Sequence, residues 1–183
     1  MYFTLADLIT DIAQNACEST ANRVEIEINE NDREFRFFVR DNGKGMTELE
    51  LDKAIDPFVT DGEKHPHRKI GLGLPFFVQT VEQSGGGWDM RSEKGKGTTA
   101  TAWFDTDNAD TPPVGDLAEM FRTSLLFEST DEIIIYRSRN TGSKKPLNYR
   151  IRKSELEGTL GDLNDAESAV LLNLYLHSLE GEE

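Results

Sequence analysis

Hydrophobic and polar positions follow two different periods along this chain. In residues 4–20, Leu5, Leu8, Ile9, Ile12, Ala13 and Ala16 recur at intervals of three and four, which places them on one face of a helix. Thr4 stands where an N-cap belongs, and Asp7 is positioned to complete a capping box. The period then shortens to two. Val24, Ile26 and Ile28 alternate with Glu25 and Glu27, the pattern of a half-buried strand, and a second strand over 34–40 makes a hairpin with it. A short helix capped by Thr47 is predicted through Ala54, then a polar loop over 56–70. A helix is predicted over 71–84, stopped by Gly85-Gly86-Gly87, and strands over 88–92 and 98–104 flank a turn at 93–97.

The pattern lapses over 105–115, where three aspartates and Pro112-Pro113 read as a linker. Beyond it the periods predict a helix over 116–127, strands over 132–138 and 147–153, and a closing helix over 165–179. The organisation expected is a first domain at 1–104, a linker at 105–115 and a smaller α+β region at 116–183.

Charge narrows the function. Of 183 residues, 34 are acidic and 20 basic, a net charge of −14. That disfavours whole-surface binding to nucleic acid or to an anionic membrane, both of which need Lys and Arg against phosphates. Yet Arg137, Arg139, Lys144, Lys145, Arg150, Arg152 and Lys153 follow one another with no acid between them. This strip is either a surface for a partner or is paired internally with the surrounding acids. No apolar run approaches the roughly 20 residues of a bilayer span. The N-terminus has Asp7 and no basic flank, so no signal peptide is expected. Cys17 is the single cysteine, which excludes an intrachain disulfide and fits a cytoplasmic, reducing compartment. Its expected role is core packing.

Four short segments carry candidate chemistry. Asp11 and Asn15, four apart, share a polar helix face; an Asn carbonyl suits a hard cation such as Mg²⁺, and a carboxylate can orient a nucleophile. Asp41-Asn42-Gly43-Lys44-Gly45-Met46 follows a strand, and its leading carboxylate, an acceptor only, suits an exocyclic amine. Lys69-Ile70-Gly71-Leu72-Gly73-Leu74 sits at a helix start, where bare N–H groups favour phosphate. It is not a dinucleotide fingerprint, because Phe76 holds the third glycine position, nor a Walker A loop, because no Gly-Lys-Ser/Thr follows. Gly95-Lys96-Gly97-Thr98-Thr99 forms a hairpin turn. Between the second and third segments, Lys64, Arg68 and Lys69 are candidates to meet phosphate oxygens. His65 and His67 lack a third metal ligand.

In this order the segments resemble the Bergerat-fold ATPases, the GHKL superfamily of gyrase, heat-shock chaperones, histidine kinases and MutL-type proteins, over about residues 4–104. Asn15 matches the N box, Asp41–Met46 the G1 box, Asp56-Pro57-Phe58 the F box, Gly71–Leu74 the G2 box and Gly95–Thr98 the G3 box. The resemblance implies an α/β sandwich (α+β), a mixed, mainly antiparallel sheet with helices on one face, followed here by a small α+β C-terminal appendage. It implies ATP and Mg²⁺ as ligands, with Asn15 holding the metal and Asp41 accepting from the adenine amine, supported through water by Thr98. Gly43, Gly45 and Met46 belong to the adenine side. Phe58, Lys69, Gly71, Leu72, Gly73 and Leu74 complete the nucleotide set, under a lid at 59–70.

Two departures separate this chain from close family patterns. Histidine kinases usually carry a basic residue three after the N-box Asn, where this chain has Glu18; gyrase- and MutL-like members often carry an acid there. Hydrolytic members place a Glu four before the Asn, where this chain has Asp11 as candidate catalytic group. The kinases' dimerisation helices with their phosphoacceptor His are expected to be absent, since the sequence opens on the N-box helix. The expectation is a histidine-kinase-like ATPase domain that either transfers phosphoryl to a separate protein or hydrolyses ATP. The alternative is a non-catalytic regulatory module. A protein partner is expected, a homodimer is compatible with the sequence, and nucleic acid and membrane are not expected partners.

Overall fold

The computed structural model describes residues 3–56 and 73–181. Its elements are α1 (Leu5–Glu18), β1 (Arg23–Asn31), β2 (Glu34–Asp41), α2 (Glu48–Ile55), α3 (Gly73–Gln83), β3 (Gly87–Glu93), β4 (Gly97–Asp105), α4 (Leu117–Leu125), β5 (Glu132–Asn140), β6 (Leu147–Arg152), α5 (Lys153–Leu160) and α6 (Ala166–Glu180). Helix α1 begins as its sequence predicts. The Thr4 hydroxyl accepts from the Asp7 N–H at 3.0 Å and the Asp7 carboxylate accepts from the Thr4 N–H at 3.0 Å. Such a cap contributes about 1 kcal/mol.

The strands form one sheet in the order β3-β4-β2-β1-β5-β6. Every pairing is antiparallel except that of β1 with β5. Register aligns Met90, Ala100, Val39, Ile26, Ile135 and Ile151 across all six strands. All six are buried, so one continuous apolar row runs beneath the helices. Helix α1 packs against α3 and α4, and α4 against α6, to form the helical layer. The opposite face is polar. There Arg40 pairs with Glu27 at 2.8 Å and lies over Phe38, and Arg36 lies over Trp103. The mixed, mainly antiparallel sheet agrees with the predicted fold class.

The C-terminal region is built into this sheet. Its predicted helix, two strands and closing helix are present, but β5 pairs with β1 along its whole length, from Arg23↔Glu132 to Asn31↔Asn140. The reason lies in β1, which would otherwise be an exposed edge. The run Ile133-Ile134-Ile135 is buried on both faces, as a strand inside a sheet requires. The linker is stitched down as well: the carbonyls of Pro113 and Val114 accept from the first N–H groups of α1, at 2.9 Å each. Helix α5 gave little sequence signal because it is short and only Leu156 and Leu160, four apart and half-buried, pack against the core.

Of the basic strip at 137–153, the arginines and Lys153 are bonded internally, while Lys144 and Lys145 are exposed. Arg137 points inward beside Ile28, only 1% exposed, and bonds Glu30 and Glu180. Arg139 reaches Glu180 at 3.3 Å, and the Tyr149 hydroxyl donates to the same carboxylate. Burial and the Glu180 charge hold that phenol protonated. Arg152 pairs with Glu132, Arg150 with Glu155, and the Lys153 ammonium donates to the Phe127 carbonyl. Cys17 is buried in the core, as expected, and desolvation pushes its thiol up to about 12. Among the described residues no helix is long and apolar enough to cross a membrane.

Candidate functional site

The polar face of α1 carries Asp11 and Asn15, and Ser19, the C-cap residue, follows at the same interval of four and continues that side. A cleft of about 290 Å³ opens beside it. Its walls are apolar, with Ile12, Val39, Leu74, Met90 and Ala100 among them, and Asn15, Ser19, Asp41 and Thr98 bring polar groups to the same space. An apolar slot with a few convergent polar groups is the usual composition of a small-molecule site.

Asp41 ends β2, opposite Thr98 of β4. Its Oδ1 accepts from the Gly43 N–H at 2.8 Å and from the Ser19 hydroxyl at 3.0 Å. Burial pushes its carboxyl above the ordinary 3.8, and the donors from Gly43, Ser19 and Thr98 oppose that rise. No cation is bonded to it among these contacts. Its charge is therefore held by neutral donors, and the carboxylate keeps lone-pair capacity for a further donor.

The glycines have separate reasons. A side chain at Gly43 would place its first carbon 2.1 Å from the Ser19 Oγ, so Gly43 makes room for Ser19 and does not itself line the cleft. Gly45 does line it, with φ +57, and a side chain there would strike the Glu93 carbonyl at 2.0 Å. Gly73 opens α3 against the N-box face. A Cβ there would lie 2.7 Å from Asp11 Oδ2 and 3.0 Å from Asn15 Nδ2. The start of α3 thus meets the Asp11 and Asn15 side chains at one end of the cleft, while Asp41 and Thr98 stand among its polar lining.

Met46 lines the cleft, and its N–H donates to the Ser92 hydroxyl at 2.8 Å. The same hydroxyl lies 2.8 Å from Thr98 Oγ1. Asp11 is not in the cleft lining; it lies in an adjoining groove between α1 and α4. Phe58, Lys69, Gly71 and Leu72, the cations Lys64 and Arg68, His65 and His67, and the lid at 59–70 fall outside the described residues. Sequence reasoning missed Ser19 and Ser92. Ser19 repeats the four-residue interval of Asp11 and Asn15, and Ser92 follows the cleft-lining Met90 by two on one strand, so both lay within readable patterns.

A metal suits the donors. Asn15 lines the cleft and the Asp11 carboxylate lies close to Gly73 beside it, and an amide oxygen and a carboxylate are both hard donors. Among the described residues no group of three or more His, Cys, Asp or Glu could hold a metal ion.

Comparison with known proteins gives the family. The family model described as histidine kinase-, DNA gyrase B-, and HSP90-like ATPase matches residues 3–108. Curated relatives include the sensor protein SrrB of Staphylococcus aureus strains NCTC 8325 / PS 47, COL and MRSA252. Each is 31% identical over 96 residues, which is 50% of this chain and 16% of the relative. The chain matches only that small part of their length.

Proposed function

Because the chain belongs to the histidine kinase-, DNA gyrase B- and HSP90-like ATPase family, an ATP-binding fold, we propose that its cleft takes ATP with Mg²⁺ and supports transfer of the γ-phosphoryl group. The observation that carries this reading is the juxtaposition of Gly73 with Asp11 and Asn15 beside a cleft that also holds Asp41. In this reading Asp41 accepts from the adenine 6-amino group, and Gly45, Met46 and Leu74 bound the base. The N–H groups that open α3 receive phosphate oxygens, favoured by the helix dipole. Asn15 holds Mg²⁺, which when bound neutralises charge on the phosphates. Phe58, Lys69, Gly71 and Leu72 complete the set. Asp11 orients the nucleophile, whose oxygen or nitrogen bonds to the γ-phosphorus as the bond to the β-bridging oxygen breaks and ADP leaves.

The acceptor is a separate protein or water, in a cytoplasmic setting. Residues 1–104 form the nucleotide-binding unit, and residues 116–183, after the linker at 105–115, extend its sheet. A second reading is favoured by one observation: Asp11 lies beside the cleft rather than in its lining. Under it the domain binds nucleotide without turnover and changes the surface shown to a partner.

Incubation of the pure protein with γ-labelled ATP and Mg²⁺, alone and with cell lysate, separates the readings. Free phosphate or a labelled protein that disappears in Asp11→Asn supports turnover. Saturable ATP binding with neither product supports the regulatory module. Absence of binding removes both.

A further inference from the structure

Ser19 has no role in the matched boxes, yet its hydroxyl sits between the end of α1 and Asp41. It lies 2.7 Å from the Ala16 carbonyl and 3.0 Å from Asp41 Oδ1. A hydroxyl has one proton to give. The Ala16 carbonyl already accepts from the Ser19 backbone N–H at 3.2 Å. The carboxylate is the stronger acceptor, so the proton belongs to Asp41. The packing is as specific as the bond: Ser19 Oγ occupies the space that a side chain at position 43 would need.

We propose that Ser19 is a positioning residue that locks the Asp41 carboxylate in its acceptor orientation and thereby sets the preference for a 6-amino over a 6-oxo purine. The inference rests on the nucleotide reading of the cleft. Ser19 and the Gly43 N–H both hold Oδ1, the Thr98 N–H is a third donor to the carboxylate, and a carboxylate oxygen with a lone pair to spare has capacity for the base. A 6-amino group donates to that oxygen. A 6-oxo group presents lone pairs to a fixed negative charge and is repelled. Without the Ser19 donor, the carboxylate retains fewer constraints on its rotation and can turn away from a 6-oxo group, so discrimination falls. An isolated helix-capping role for Ser19 would change stability and leave the ratio of the two affinities alone.

The test is calorimetric titration of the full chain and of Ser19→Ala and Ser19→Thr with Mg·ADP and Mg·GDP, beside urea unfolding of each. In Ser19→Ala, ADP affinity is expected to fall about tenfold, the scale of one hydrogen bond to a charged group. GDP affinity stays level or rises, so the ADP-to-GDP ratio falls at least tenfold. Ser19→Thr keeps the hydroxyl and is expected to keep the ratio. An unchanged ratio in Ser19→Ala, with the unmodified chain binding ADP, overturns the inference and leaves the nucleotide site standing. Equal loss of the ratio in Ser19→Thr overturns it too. If the unmodified chain binds neither nucleotide, the site reading and the inference fall together.

Discussion

The two ends of β1 each carry carboxylates withdrawn from water, and they are satisfied in opposite ways. At the Arg23 end, Asp41 pairs in register with Val24 and takes its hydrogen bonds from the Gly43 and Thr98 N–H groups and the Ser19 hydroxyl. At the far end, Glu30 and Glu180 are joined to the guanidinium groups of Arg137 and Arg139. Neutral donors orient a carboxylate without cancelling its charge, so Asp41 remains able to attract a ligand's donor. Guanidinium partners cancel the charge and occupy the lone pairs, so Glu180 fastens the end of α6 to the sheet and offers little to a ligand. A strongly basic stretch is therefore spent on structure, and the candidate chemistry sits where no cation is bonded to the acid.

The largest expected effect comes from breaking the cationic end. Glu180→Gln leaves two buried guanidinium groups short of compensation and should cost about 3–5 kcal/mol in urea unfolding. Nucleotide affinity of the folded fraction should be unaltered. A loss below about 1 kcal/mol would mean that the cluster is not the fastening described.

Asp41→Asn tests the other end, with the readouts reversed. ADP affinity should fall roughly 10- to 100-fold, as for loss of a hydrogen bond to a charged group. Stability should hold. Burial raises the folded-state value of Asp41 above 3.8, so its charged form opposes folding as pH rises past that value, and removing the charge forfeits no electrostatic stability. By the same sign, ADP binding of the unmodified chain should weaken on acidification before pH reaches 3.8, as Asp41 takes up a proton. Glu18 and Lys44, the other charged residues lining the cleft, face the same space, and Asp41→Asn should flatten the part of the profile that belongs to Asp41. A profile identical in the two proteins would assign the titration elsewhere.

The smallest effect sharpens the contrast by removing burial from it. Arg150 and Glu155 pair at 2.9 Å with side chains 51% and 55% exposed. Arg150→Ala should shift stability by less than about 1 kcal/mol and should do so less in high salt. A loss as large as that of Glu180→Gln would show that ion pairing rather than burial sets the cost.

Local signals made much of the fold legible. The three-and-four spacing of Leu5 to Ala16, the alternation at 23–28, the Thr4 capping box and the Thr47 cap each act within a few residues, and the structure realises all of them. The polar turn of α1 and the Asp41–Met46 loop were readable as candidate chemistry for the same reason. Helix α5 was not readable, because over eight residues only the half-buried pair Leu156 and Leu160 marks its inner face, too few positions to write a clear period. The fate of the 137–153 strip was not readable either, because its partners Glu30 and Glu180 lie far away in the chain.

By itself, then, the sequence determined every described element but α5, the caps of α1 and α2, and the types of group that could serve a nucleotide, since propensity, periodicity and capping are properties of neighbouring residues. Only the tertiary structure decided that β5 closes the edge of β1, that Arg137 lies in the core, and that the Ser19 hydroxyl donates to Asp41. Each of those depends on which distant residue the sheet register and the helix layer bring within about 3 Å, the range of a hydrogen bond.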